Sequence, residues 1–285
     1  MSMYSQVWEK CSASVCCLNF YNEHGVLIDT LSGFKINKSL VTCEQAFYVK
    51  GAQKVEIRFV EADANTPKAT IRVDYKEFIE DLRIGFTHNH ADYAVFNIDF
   101  TEFQDIPSLS LCERWNYPVG MPIAVLGFNG VGQNLSIKSG IISSAFSNKQ
   151  GVRYLQIDAL TCYGNSGAPV IDPQTMQVVA IVSRRNTPAT KSYNDLMGYI
   201  NTNLEELRKI EGKFKLGELD PIQVLIANQN QIKLLASNIY KHTASGTSQA
   251  VMLDHIITYF NEQAVIDNNL IKSNEIETDV TVGKE

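Results

Sequence analysis

Over its first two-thirds the chain alternates short apolar runs with turn residues. The runs are SVCCLNFY (14–21), VLID (26–29), SGFKIN (32–37), SLVTC (39–43), KVEIRFV (54–60) and ATIRVDY (69–75), then YAVFNID (93–99), PIAVLGF (122–128), LSIKSGIIS (135–143), VRYLQI (152–157) and VVAIVS (178–183). Many are rich in Val, Ile, Phe and Tyr, and Gly, Asn, Asp or Pro stand between them. About eleven strands without a long helix between them predict a mainly β, antiparallel architecture, a barrel or a sandwich.

The period changes near Asn194. NDLMGYINTNLEELRKI has helical spacing, with Leu196, Ile200, Leu204 and Leu207 on one face. Asp220 as N-cap and Pro221 at the first helical position announce a second helix. In it Ile222, Leu225, Ile226, Ile232, Leu235 and Ile239 recur at helical intervals. SQAVMLDHIITYF, with Val251, Ile256, Ile257 and Phe260, reads as a third helix. Such stripes are expected to pack on one another and on the β region. The polar end, SNEIETDVTVGKE, is expected to fray. The division that follows is a β domain over 1–190 and a helical C-terminal region over 191–285.

With 285 residues the chain can bury a sizeable core, and 45% hydrophobic with 20% charged residues is ordinary for a water-soluble protein. The net charge of -6, with no Lys/Arg run, argues against nucleic acid as partner. No apolar run reaches the length of a membrane span, and the N-terminus lacks a signal-peptide pattern. The six cysteines form no CxxC pair and no zinc-type set with histidine. They read as reduced thiols of a cytoplasmic protein that needs no metal or cofactor.

The strongest chemical signal is Gly164-Asn165-Ser166-Gly167-Ala168-Pro169, preceded by Asp158-Ala159. A serine between glycines can sit in a tight turn with its hydroxyl exposed. The Gly164 and Ser166 N–H groups can then converge on one point, as an oxyanion hole requires. Upstream stand Ser32-Gly33-Phe34-Lys35-Ile36, Leu40-Val41-Thr42 and Asp92-Tyr93-Ala94-Val95, and then Gly127-Phe128 and Ser139-Gly140-Ile141-Ile142-Ser143. In this order, over roughly residues 12 to 185, the set resembles the trypsin-like serine peptidases, the HtrA type above all.

The resemblance implies two antiparallel β-barrels with a cleft between them. It places Ser166 at the nucleophile position and Asp92 at the position of the triad acid, which orients a histidine. The histidine position itself, four residues after Val41, holds Gln45. A carboxamide is neutral across the physiological range and cannot act as a general base. Loss of such a histidine costs about a millionfold in kcat.

Three routes would restore activity. His88 or His90, just before Asp92, would supply the base; Cys43 or Cys162 would supply a thiolate; or Gln45 is an introduced replacement of histidine. The two histidines read as solvated loop residues, and the two cysteines as buried small residues. By the same resemblance Leu160 falls at the base of the specificity pocket, favouring an aliphatic side chain. Tyr163 and Ser183-Arg184-Arg185 would flank the cleft. HtrA-type enzymes usually continue into β-rich PDZ domains, whereas the end of this chain reads as helical.

The expectation is therefore a trypsin-like pseudoprotease that binds a polypeptide or protein partner. Its alternatives are an active serine endopeptidase using Ser166, and an assembly scaffold acting through the C-terminal helices.

Overall fold

The central strands of both β units have two buried faces that serve different cores. In β1 (Val15–Tyr21) the side chains alternate. Cys16, Leu18 and Phe20 enter a core with Leu40, Val55, Ile57, Phe78 and Phe96, while Val15 and Cys17 join a second core with Phe34, Val41 and Val95. That is why the run reads as continuously apolar. A computed structural model describes residues 2–86, 92–113, 116–130, 133–185, 190–214, 216–217, 219–243 and 245–263. His88 and His90 lie outside the described residues, as do the side chains of Arg184 and Arg185.

The first unit is a seven-stranded antiparallel sheet. It comprises β1, β2 (Leu27–Ile36), β3 (Ser39–Thr42), β4 (Lys54–Val60), β5 (Pro67–Asp74), β6 (Arg83–Phe86) and β7 (Ala94–Asn97), in the order β5-β4-β1-β2-β3-β7-β6. VLID and SGFKIN fuse into the single strand β2, placing Phe34 opposite Val41. Two helices escape the strand pattern: α1 (Met3–Cys11), capped by Ser2, and α2 (Tyr75–Glu80).

The second unit is a closed barrel of β8 (Pro122–Phe128), β9 (Leu135–Ser147), β10 (Arg153–Thr161), β11 (Pro169–Asp172), β12 (Gln177–Arg185) and β13 (Ser245–Met252). Ile123, Val125, Leu155, Ile157, Val170, Val182 and Ala250 fill it. Leu126, Phe128, Ile171, Ile181 and Val251 point the other way and share the second core of the first unit with Val7 of α1 and Ile256. One apolar layer thus joins sheet and barrel.

The sixth barrel strand corrects the reading of the C-terminal region. The expected third helix divides into strand β13 and a helix over 254–263. Val251 pairs with both Tyr154 of β10 and Ile181 of β12. Without β13 those two strands would leave buried backbone N–H and C=O groups unpaired. The two expected long helices, α3 (Thr190–Ile210) and α4 (Pro221–His242), therefore form a hairpin inserted between the fifth and sixth barrel strands. Asp220 caps α4 through the Ile222 N–H at 2.8 Å and holds the Gly212 N–H at 2.8 Å.

A polar clamp crosses between the units. Asn19 donates to Glu56 and to Gln133 of the β8–β9 connection, both at 3.2 Å, and Arg58 donates to the Gln133 carbonyl at 3.1 Å. Burial pushes the Glu56 carboxyl up, but hydrogen bonds from Arg72 and Asn19 outweigh it and hold the group below its usual range. A depressed folded-state value stabilises fully above the unfolded value of about 4.3 and is lost as pH falls through the folded one. Glu56→Gln is expected to lower Tm at neutral pH, with the gap to wild type closing in strong acid. Thermal unfolding followed across pH checks this.

Candidate functional site

The turn between β10 and β11 carries Ser166. Gly164 (φ +97) and Gly167 (φ +84) both adopt the left-handed conformation that glycine tolerates. A Cβ on Gly167 would collide with the Ser32 carbonyl oxygen and Thr42 Oγ1, so the first unit's backbone presses directly on this turn. Asn165 between them is fully buried: its Nδ2 donates to the Phe128 carbonyl at 3.0 Å, and its Oδ1 accepts from the Cys162 N–H at 2.8 Å.

Ser32 of β2 pins the turn from the other unit. Its Oγ donates to the Gly164 carbonyl at 2.7 Å and accepts from the Phe128 N–H at 2.9 Å, while its N–H donates to the Ser166 carbonyl at 2.8 Å. Thr42 Oγ1 in turn donates to the Ser32 carbonyl at 2.7 Å. Ser166 itself stays half-exposed. The Gly130 N–H donates to the Tyr163 carbonyl at 2.8 Å. In a trans peptide this turns the Gly164 N–H to the opposite side. Among the described residues neither the Gly164 nor the Ser166 N–H donates to a protein acceptor.

Asp92 is buried, with φ +60, and accepts a hydrogen bond from Ser183 Oγ of β12. Ser183, expected on the cleft wall, is itself buried at 4% exposure and serves as the partner of Asp92. Cys43 lies near this carboxylate: burial first, and then the Asp92 charge, push its thiol up to about 12. Two residues on, Gln45 stands exposed in the 3-10 turn Glu44–Phe47. Its Nε2 donates to Asp29 Oδ2 at a long 3.4 Å. The other carboxylate oxygen of Asp29 accepts from the Tyr163 hydroxyl at 2.8 Å and the Thr30 N–H at 2.9 Å. Gln45, Asp29 and Tyr163 thus form one hydrogen-bonded strap that ends at the serine turn.

Leu160 does not floor an enclosed pocket. It faces outward from β10 between buried Ala159 and Thr161 and is 60% exposed. Cys162 is half-buried and its thiol faces Asn165 Oδ1 at 3.4 Å; burial pushes the Lys138 ammonium of β9 down, with Cys162 opposing. The other five cysteines are buried, with Cys11 raised to about 11 and Cys17 to about 12, each mainly by burial. Iodoacetamide at mildly alkaline pH is therefore expected to alkylate Cys162 first, and the others only after unfolding. Peptide mapping before and after denaturant reads this out.

Asp29, Ser32, Thr42, Asn165 and Gly130 were not recognised in the sequence as parts of the site's framework. Ser32 and Thr42 lie in the conspicuous SGFKI and LVT runs, whereas Asp29 carries no local signal at all. Among the described residues no group of three His, Cys, Asp or Glu side chains is placed to hold a metal ion. None of the described helices is long and apolar enough to cross a membrane.

A family model for the trypsin-like peptidase domain matches residues 31–181, just over half of the chain. The chain belongs to this family. The trypsin-like match covers Gln45, Asp92 and the serine turn and stops before the helical hairpin and β13. Solved structures share the fold. Two of the HtrA-type protease AlgW with tripeptide are 18% and 20% identical, over 70% and 63% of this chain and 64% and 53% of theirs, with TM-scores of 0.51 and 0.48. Deg5 is 19% identical over 64% of this chain and 84% of its own, with a TM-score of 0.48. This chain thus spans less than two-thirds of the AlgW chains it matches. Comparison with curated proteins finds no match.

Proposed function

We propose that this trypsin-like domain is a pseudoprotease, which holds a polypeptide in its cleft without cutting it. The observation that carries the reading is Gln45, which stands at the general-base position and donates its amide to Asp29. The rest of the machinery has the form a peptidase uses. Ser166 occupies the nucleophile position, Asp92 that of the triad acid, and the Gly164 and Ser166 amides are free to receive a carbonyl oxygen.

Without a base near pKa 7, Ser166 is an ordinary alcohol and peptide hydrolysis falls by about a millionfold. Binding needs no base, so it survives this loss. Leu160 and Tyr163 supply an open, partly apolar surface beside the turn, which suits an aliphatic side chain. Six free cysteines and no disulfide fit a reducing cytoplasm.

A displayed library of extended peptides tests the reading. Captured sequences should survive incubation uncut and lose at least about tenfold in affinity for Ser166→Phe, which fills the mouth of the turn. Cleavage of captured peptides, or binding indifferent to Ser166→Phe, would overturn it.

A further inference from the structure

Among the described residues nothing covers one face of α4. The opposite face meets α3, where Ile200, Leu204 and Ile222 are buried and Tyr193 stacks on Tyr240 with ring centroids 4.1 Å apart. At 100° per residue, Val224, Leu225, Ile232, Leu235 and Ile239 fall in a sector about 100° wide, the width of an apolar stripe that normally faces a core. Yet each of the five is between 44% and 60% exposed. The expectation that these stripes pack within the molecule thus holds for Ile200 and Leu204 of α3 and fails for Leu196 and for this face of α4.

Leu225, Ile232 and Ile239 repeat every seventh residue, and Asn228 and Leu235 fall between them. This is the a/d seam of helix-to-helix packing, with one polar position of the kind that sets register. No charged residue enters it. Leu196 of α3 joins Ile232, Leu235 and Ile239 along a groove of about 360 Å³ at the base of the hairpin.

We propose that this seam joins two copies of the chain, whose hairpins combine as a four-helix bundle about a two-fold axis. Charge favours a second copy. The chain carries a net -6, but residues 190–242 hold seven Lys or Arg against six Asp or Glu, so two copies approach through their least repulsive part. Size also fits. Six half-exposed apolar side chains around Asn228, with a rim of Gln231 and Asn238, make a patch on the order of 800 Å² per copy, the share each partner contributes to a standard interface. A two-fold contact is self-complementary, and an uncharged heptad seam meets that condition. The inference stands apart from the cleft reading, because the hairpin lies outside the matched peptidase span.

Sedimentation velocity of the full chain at micromolar concentration decides the matter. Wild type is expected to sediment as a dimer. The double variant Leu225→Glu/Ile239→Glu should raise the dimer dissociation constant at least about 100-fold. Asn230→Glu, at an exposed position of α4 outside the seam, should leave it unchanged, and circular dichroism verifies that both variants fold. A wild-type monomer, or a dimer indifferent to the seam charges, overturns the proposal. So does a monomer that floats with phosphatidylcholine vesicles and loses that binding in the seam variant, which would make a membrane the occupant.

Discussion

Gln45→His is expected to turn the chain into a working peptidase, with kcat rising on the order of 10⁴- to 10⁶-fold over the parent. The case rests on what surrounds position 45. Asp92 is buried and hydrogen-bonded by Ser183, and on the proposed reading it would hold an imidazole in one tautomer; the serine turn is pinned by Ser32 and Asn165. An imidazole with an ordinary value near 6.5 must be neutral to take the serine proton, so activity should rise from pH 5 to pH 8. Asp29 competes for the new side chain, because it already receives the Gln45 amide. Gln45→His/Asp29→Asn should therefore be at least as active as the single variant. Hydrolysis of a fluorogenic peptide mixture checks both. No gain in either would show that position 45 is not where the base belongs.

Gly167→Ala is expected to cost about 4 kcal/mol, from left-handed strain together with overpacking. The added methyl would meet the Ser32 carbonyl oxygen and Thr42 Oγ1 at once, and both are fixed parts of the first unit. The neighbouring strands have no slack, since Ser32, Thr42 and Ala168 are fully buried. For a chain of this size that loss corresponds to a fall in Tm of roughly 8–16 °C. Gly151→Ala gives the comparison: its φ is similarly positive at +82, but a Cβ there meets nothing. Its cost should be about 1 kcal/mol of strain alone. Equal melting temperatures for the two variants would contradict the picture of a turn clamped by the opposite unit.

Much of the fold was legible because strands such as β1 and β8 keep both faces apolar, others such as β4 and β10 alternate, and turn residues close them. The serine turn was legible because a serine between glycines marks a tight turn, but the capping of that turn by buried Asn165 was not. What escaped was decided at long range. In SQAVMLDHIITYF, Val251, Ile256, Ile257 and Phe260 satisfy a helical stripe, yet the first half is a strand because β10 and β12 need a partner between them. RIGF and PVID, at four residues each, are too short to show a period of two. The strap from Gln45 through Asp29 to Tyr163 joins three separate segments, and no spacing along the chain announces it. Leu160 was placed by analogy at a pocket floor, but in this chain its surroundings leave it open.

The central claim is that Ser166 is housed as a nucleophile but not activated. Intact-mass analysis after treatment with a fluorophosphonate probe tests it most directly, since the probe bonds only to a serine whose proton is being removed. The unmodified chain should stay unlabelled, Gln45→His should gain one adduct, and Gln45→His/Ser166→Ala should lose it. Stoichiometric labelling of the unmodified chain that disappears in Ser166→Ala would contradict the account and make this protein an active serine peptidase with a different base.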